Sequence, residues 1–213
     1  MDCCAHLKGL NDVFDERRAQ EELRSYLRRG LDRHARRIVA ALAVRGLAGA
    51  SILEVGGGIG GLHIELLRGG AASATDVDVA AAYIAVAQSL AERLGLRERV
   101  EYRQADFASA AGELPPADIV VLHRVVCCYP DYERLLAAAA EHARGLLVFS
   151  YPSHSVLARM VLGAENLSFR MRRLRFRVFA HPPDRMLSVL REHGLRPTVV
   201  HRGMAWQVAG AER

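Results

Sequence analysis

The residues best suited to chemistry fall in a few short stretches of the 213-residue chain. The segment Glu54-Val55-Gly56-Gly57-Gly58-Ile59-Gly60-Gly61 puts a run of glycines directly after apolar residues. Glycine at such a place lets the main chain bend sharply and lets a ligand approach without a Cβ in the way. Two patterns fit: Gly56, Gly58 and Gly60 give Gly-x-Gly-x-Gly, and Gly56, Gly58 and Gly61 give the Gly-x-Gly-x-x-Gly of dinucleotide sites. Thr75-Asp76-Val77-Asp78 ends the next apolar run, and an acid there accepts hydrogen bonds from ribose hydroxyls. Asp106-Phe107 ends the third, where a carboxylate suits an adenine amino group and the following residue meets the ring. This third element separates an adenosyl site from a bare turn.

Glu54 narrows the ligand further. A carboxylate two residues before the first glycine repels a phosphate, whereas a cation tolerates it. Beyond the glycine turn, His123 ends the fourth apolar run, where open α/β sheets place their ligands, and is a candidate general base. His154, after the fifth run, is a second candidate, and Tyr26 is a residue able to close over the ligand from the N-terminal helices. Cys127-Cys128 lies at the same edge, and Cys3, Cys4 and His6 lie near the N-terminus. Together they suggest a soft-metal or thiol site, but no zinc spacing exists and no metal is expected. From Arg170 to Arg177, arginines interleave with Met171, Leu174 and Phe176. That alternation predicts an added strand with one arginine face, either solvated or forming a rim for an anionic substrate, with Asn166 and Phe179-Ala180-His181 close by.

These residues need elements to hold them. The pattern predicts a charged helix from about Asn11 to Arg29, a break at Gly30, and a second helix with Leu31, Ala35, Ile38 and Leu42 on one face, stopped by Gly46. Strands are expected at Ser51–Val55, Ala72–Val77, Val100–Gln104, Asp118–Leu122 and Gly145–Ser150. Helices are expected after the first (to about Leu67), after the second (ended by Gly95), and from Asp131, as N-cap, to Gly145. Pro182-Pro183 opens a helix through Leu190, closed by Gly194. Pro197–His201 and Met204–Ala209 are short enough and close enough to pair antiparallel across Arg202-Gly203. Alternating strands and helices mean a mainly parallel, Rossmann-like α/β sheet with helices on both faces. One domain is expected: a helical cap over 1–46, a ligand-binding core over 51–150, an insertion or lid over 153–180, and a terminal helix and hairpin over 182–213.

Glu54 to Gly61, Thr75 to Asp78, Gln104 to Phe107 and Asp118 to Tyr129 resemble the ordered motifs of class I S-adenosylmethionine-dependent methyltransferases. The resemblance covers roughly Gly46 to Ser150 and implies a seven-stranded sheet ending in an antiparallel strand. It further implies S-adenosyl-L-methionine as cofactor and a small-molecule acceptor with an O- or N-nucleophile. Gly56, Gly57, Gly58 and Gly60 are implied to line the methionine part, Glu54 to help hold its amino group, and Asp78 to bind ribose. Asp106 and the Phe107 backbone are implied to contact adenine, with His123 beside the cofactor. Asp78 rather than Asp76 occupies the acidic position of the family. Phe14-Asp15, Tyr26 and Tyr129-Pro130 also partly resemble the group of small-molecule methyltransferases that includes magnesium-protoporphyrin O-methyltransferase, with Cys128 where that group has histidine.

Bulk properties agree. Half the residues are hydrophobic and a quarter charged, as in ordinary globular chains. The net charge of +5 rests on arginine, with Lys8 the single lysine. Such a bias is weak ground for nucleic-acid binding, and none is expected. No apolar run approaches the ~18 residues of a membrane span, and the N-terminus lacks a signal-peptide pattern, so a cytoplasmic location is expected. Two rival functions share the pattern. One is an NAD(P)-dependent oxidoreductase, which needs pyrophosphate on the glycine turn. The other is a non-catalytic binding module for RNA or protein.

Overall fold

The computed structural model describes residues 9, 10 and 12–213. Asp15 accepts a hydrogen bond from the Arg18 N–H and so starts α1 (Glu16–Arg29), which Gly30 ends at φ +69°. Asp32 caps α2 (Arg33–Arg45) in the same way, through the N–H groups of His34 and Ala35. The chain then alternates: β1 (Ser51–Val55), α3 (Gly61–Arg68), β2 (Ser73–Asp78), α4 (Ala81–Arg93), β3 (Val100–Gln104), β4 (Ala117–Leu122), α5 (Tyr132–His142), β5 (Ala143–Pro152), α6 (Val156–Met171), α7 (Pro183–Glu192), β6 (Arg196–Arg202) and β7 (Trp206–Glu212). Seven strands form one sheet in the order β3-β2-β1-β4-β5-β7-β6. β1 to β5 are parallel, and β7 runs antiparallel to both its neighbours.

Successive residues of a strand face opposite sides of a sheet, and here both sides are covered. Leu53, Val120 and Leu147 pack with Leu135 and Leu136 of α5 and Met186 and Leu190 of α7. Ile52, Val121 and Val148 pack with Ile38 and Leu42 of α2 and Leu62 and Leu66 of α3. Each such fully buried aliphatic side chain contributes roughly 1.5–3 kcal/mol. Helix α1 lies on α4, with Ala19 and Leu23 against Tyr83, Val86 and Leu90. The sheet winds in opposite directions from β1 and β4, so a crevice opens at their C-terminal ends.

Three segments depart from the sequence reading. The arginine-rich stretch is not a strand. Ser155 caps α6, its hydroxyl accepting from Ala158 N–H, and the helix runs to Met171. Beyond it the chain is irregular, although Phe176 and Val178 are buried while Arg175 is exposed. The period-two burial was real, but Val178 bonds through its main chain to the Asn166 side chain, and Phe179 N–H to Cys127 O, instead of to a strand. The helix expected to reach Gly145 ends at His142, because β5 starts at Ala143 to pair with Ala117. In the terminal hairpin Met204 belongs to the turn, 90% exposed, and β7 starts at Trp206.

Candidate functional site

A cavity of about 580 Å³ opens at the C-terminal edge of β1, β2 and β4. Its floor is the glycine turn. Gly56 and Gly58 have φ of +66° and +59°, left-handed values that favour glycine. An added Cβ on Gly56 would lie 2.5 Å from the Val125 side chain, and one on Gly57 2.4 Å from the Asp76 carboxylate. Gly60 does not line the cavity. At φ +79° it caps α3, and its missing Cβ leaves room for the His63 ring.

Four amide donors of this turn are already engaged. Gly56 N–H bonds to Val77 O and Gly60 N–H to Gly57 O. Gly57 N–H bonds to Asp76 Oδ1 at 3.2 Å and Gly58 N–H to Asp78 Oδ2 at 3.1 Å. Under the turn lies a buried acid–imidazole group absent from the sequence reading. Glu54 Oε2 accepts from the main chain of His63 at 3.1 Å and lies 2.7 Å from its Nδ1. Burial opposes charge on His63, but the hydrogen bond and charge of Glu54, then Asp76, raise its pKa overall. Asp76 is fully buried, and burial first, then Glu54 and Asp78, push its carboxyl up to about 8 against the pull of His63 and Gly57 N–H. A histidine shortly after a glycine turn that follows a glutamate was the available signal.

Asp78 lines the cavity and Asp76 does not. Asp78 is oriented by Gly58 N–H and by Ala80 N–H, the latter at 2.9 Å to Oδ1. Burial raises its pKa, against those backbone bonds. Asp106 also lines the cavity, and its two oxygens receive the Tyr129 hydroxyl at 2.9 and 3.1 Å and the Ser109 hydroxyl. Phe107 lies beside it on the wall, buried, with its ring edge-on to His142. Val79 and Tyr83 complete this end.

Helix α1 and the start of α2 close the opposite side, held by three polar contacts across the cavity. Tyr26 Oη donates to Glu65 Oε1 at 2.6 Å, and Tyr83 Oη to Glu22 Oε1 at 2.9 Å. Burial, then Glu65, pushes the Tyr26 hydroxyl above the ordinary tyrosine range. Asp32 Oδ2 lies 3.2 Å from His123 Nε2 and 3.5 Å from Arg124 Nη2. Burial works to raise the Asp32 carboxyl, but the bond to His123, its charge, Ala35 N–H and Arg124 together hold it well below the usual carboxylate range. The other His123 nitrogen, Nδ1, is 3.0 Å from the Ser150 hydroxyl, which also accepts from Arg124 N–H. Glu22, Asp32, Glu65 and Tyr83 were not singled out from sequence, because their partners lie tens of residues away.

The cavity brings together Tyr26, Glu54, Gly56, Gly57, Gly58, Asp78, Asp106, Phe107 and His123. His154 is exposed and off the cavity wall, because β5 extends to Pro152 and carries it past the crevice edge. Asn166 clamps Val178 instead of lining the site. None of the arginines from Arg170 to Arg177 lines it either. Its cations are Arg18 and Arg124, the latter over the Trp206 ring, against the carboxylates of Glu22, Asp32, Glu54, Asp78, Asp106 and Glu165. Cys127 and Cys128 are on the wall with Sγ atoms 3.6 Å apart. Cys127 beside it, then burial, pushes the Cys128 thiol up. Cys3, Cys4 and His6 lie outside the described residues, and among those described no group of three or more His, Cys, Asp or Glu is placed to hold a metal.

Residues 23–203 match the family model described as "Methyltransferase domain". A comparison with curated proteins gives no match. Among solved structures, the chain is similar to magnesium protoporphyrin IX methyltransferase from Synechocystis PCC 6803 with bound SAH, at TM-score 0.68 and 20% identity over 84% of this chain and 82% of that one. It is similar to an O-methyltransferase family protein from Burkholderia thailandensis at TM-score 0.67 and 18% identity, over 89% of this chain and 59% of that one. Human N-acetylserotonin methyltransferase in complex with SAM gives TM-score 0.61 and 18% identity, over 85% and 52%.

Proposed function

Since the chain belongs to the methyltransferase domain family, we propose that its cavity binds S-adenosyl-L-methionine and directs transfer of the methyl group to a small-molecule acceptor. The observation that carries this reading is the state of the glycine turn. Its Gly56, Gly57, Gly58 and Gly60 amides are spent on Val77, Asp76, Asp78 and Gly57. A pyrophosphate needs such amides free and positive surroundings, and here two carboxylates occupy the donors. A cavity with six carboxylates and two guanidiniums instead favours a ligand carrying an ammonium and a sulfonium. The oxidoreductase reading is therefore disfavoured by the site itself.

The residues divide the work. Glu54 uses only Oε2 on His63, so Oε1 remains for the ammonium of the methionine part, over Gly56, Gly57 and Gly58. Asp78, oriented by two backbone N–H groups, takes the ribose hydroxyls. Asp106, steadied by Tyr129 and Ser109, takes the adenine amine, with Phe107 at the ring. When bound, the sulfonium supplies an activated methyl, so the chain must mainly hold an acceptor in line and exclude water. Tyr26 and the Asp32–His123 contact do this by fastening α1 and the start of α2 over the cavity. His123 acts here as a positioning residue, because both its ring nitrogens are already bonded. Residues 153–180 close the remaining side through Leu162, Phe169, Phe176 and Val178. Magnesium protoporphyrin IX and N-acetylserotonin are named for the similar structures, and a small-molecule acceptor is inferred for this chain too.

Calorimetry with S-adenosylhomocysteine and with NADH tests the reading. The homocysteine compound is expected to bind and NADH not to. Asp78→Ala is expected to weaken binding by about 30-fold or more, since each hydrogen bond to a charged group is worth roughly 1.5–3 kcal/mol. Unchanged affinity in that variant, or NADH binding at the same site, would overturn the assignment.

A further inference from the structure

Helix α6 is apolar on its outward face as well as on its inward one. Ala158, Leu162, Glu165 and Phe169 turn inward, with Leu162, Glu165 and Phe169 on the cavity wall. Outward, Val156, Leu157, Met160, Val161, Leu167 and Met171 are 57–76% exposed. At 100° per residue these six, with Ala164, fill an arc of about 140° broken only by Ser168. Scattered exposed apolar residues are ordinary, but a continuous face of this width marks an interaction surface. The patch continues past the helix start. Ser153, two residues before the cap, bonds to the main chain of Met204 and Ala205, which holds the exposed Met204 beside that end.

Charge identifies the partner. Between residues 156 and 177 there are six arginines and one acid, Glu165, and Glu165 is on the cavity side. Arg159 and Arg170 edge the apolar arc on one side, and Arg172, Arg173 and Arg175 are exposed at its C-terminal end. A second copy of this chain on the same face would bring the two arginine sets together around a two-fold axis, which costs rather than stabilises. Arginines beside an apolar helical face suit a bilayer surface, where the apolar residues enter the acyl boundary and guanidiniums meet anionic headgroups. No described helix is long and apolar enough to cross a membrane, consistent with a helix that lies in the interface. We propose that α6, with the 172–175 arginines and Met204, docks this protein on anionic lipid surfaces, so that one helix carries the cavity wall on one face and the bilayer on the other.

The test is flotation of the full chain with vesicles of phosphatidylcholine alone and of phosphatidylcholine with about a third phosphatidylglycerol. Binding to the anionic vesicles is expected to exceed binding to the neutral ones by about tenfold, and to fall in high salt. Met160→Glu with Leu167→Glu is expected to abolish it, and Arg172→Glu with Arg173→Glu to remove the anionic preference. All four sites are exposed, and far-UV circular dichroism checks that the variants fold. Equal flotation of the wild type and Met160→Glu/Leu167→Glu would overturn the proposal. So would a wild-type dimer in sedimentation velocity that this variant splits, in the absence of vesicle binding. None of these readouts requires methyl transfer, so their failure leaves the cofactor assignment standing.

Discussion

Asp76→Asn is expected to flatten the dependence of stability on pH. Asp76 is fully buried beneath the glycine turn, with Oδ1 receiving Gly57 N–H and Oδ2 without a hydrogen-bond partner. Its carboxyl is pushed up to about 8 in the folded chain, chiefly by burial, and titrates near 3.9 in an unfolded one. Between those values the native state holds a proton that the unfolded state has released. Stability is therefore greatest at low pH within this window and is lost as pH rises through the folded value. At about 1.4 kcal/mol per unit, going from about pH 6 to about pH 9 removes roughly 3 kcal/mol. Asparagine copies the shape of the protonated acid, keeps an oxygen for Gly57 N–H, and has no proton to lose. His63, whose folded pKa is raised by Glu54 first and then by Asp76, loses its contribution in the same direction; the variant keeps the Glu54 part of it and removes the smaller Asp76 part. Urea unfolding followed by Trp206, the single tryptophan, and by circular dichroism isolates the difference. The stability gap between variant and wild type is expected to widen by roughly 3 kcal/mol in favour of the variant between about pH 6 and about pH 9. Parallel curves over this range would mean that Asp76 is ionised in the native protein and that the burial argument fails.

Two further outcomes follow from contacts at the site. Gly57→Ala drives a Cβ to 2.4 Å from Asp76 Oδ1 and is expected to cost about 2–3 kcal/mol; in an Asp76→Ala background the cost should shrink by at least about 1 kcal/mol in a double-mutant cycle. Tyr26→Phe and His123→Ala each remove one fastening of the cap and are expected to raise trypsin cleavage after Arg28 and Arg29 several-fold, whereas an unchanged digestion rate would show that the cap is held by packing alone.

The parts of the fold that could be read from sequence were those whose signal is local. The strands Ser51–Val55 and Val100–Gln104 are bounded by turn residues and were placed to the residue, and Asp131 does cap α5. The choice of Asp78 over Asp76 came from the family resemblance, and of the two it is Asp78 that lines the cavity. What could not be read was pairing at long range. Tyr26 meets Glu65 and His123 meets Asp32 only because α1 and α2 fold back over the crevice. Helix α6 escaped for a different reason. A helix is recognised by one apolar and one polar face, and this one is apolar both toward Phe176 and toward solvent, so the clearest remaining periodicity was the alternation of arginines after it.

The contacts that fasten the cap do more than hold it. Glu22 is among them and lines the cavity, bonded to Tyr83 beside Asp78 and paired with Arg18 at 3.3 Å, so its carboxylate adds to the negative field that a cationic ligand in the cavity meets. Transfer of the methyl leaves a neutral thioether. An attraction worth on the order of 1 kcal/mol or more at partly buried range therefore exists before transfer and vanishes after it, which favours holding the substrate form and releasing the product form. Glu22→Gln keeps an acceptor for the Tyr83 hydroxyl while removing the charge. It is expected to weaken binding of S-adenosylmethionine about fivefold or more and to leave S-adenosylhomocysteine nearly unchanged, both measured by calorimetry. Equal weakening of the two ligands would show that Glu22 serves only to seat the cap.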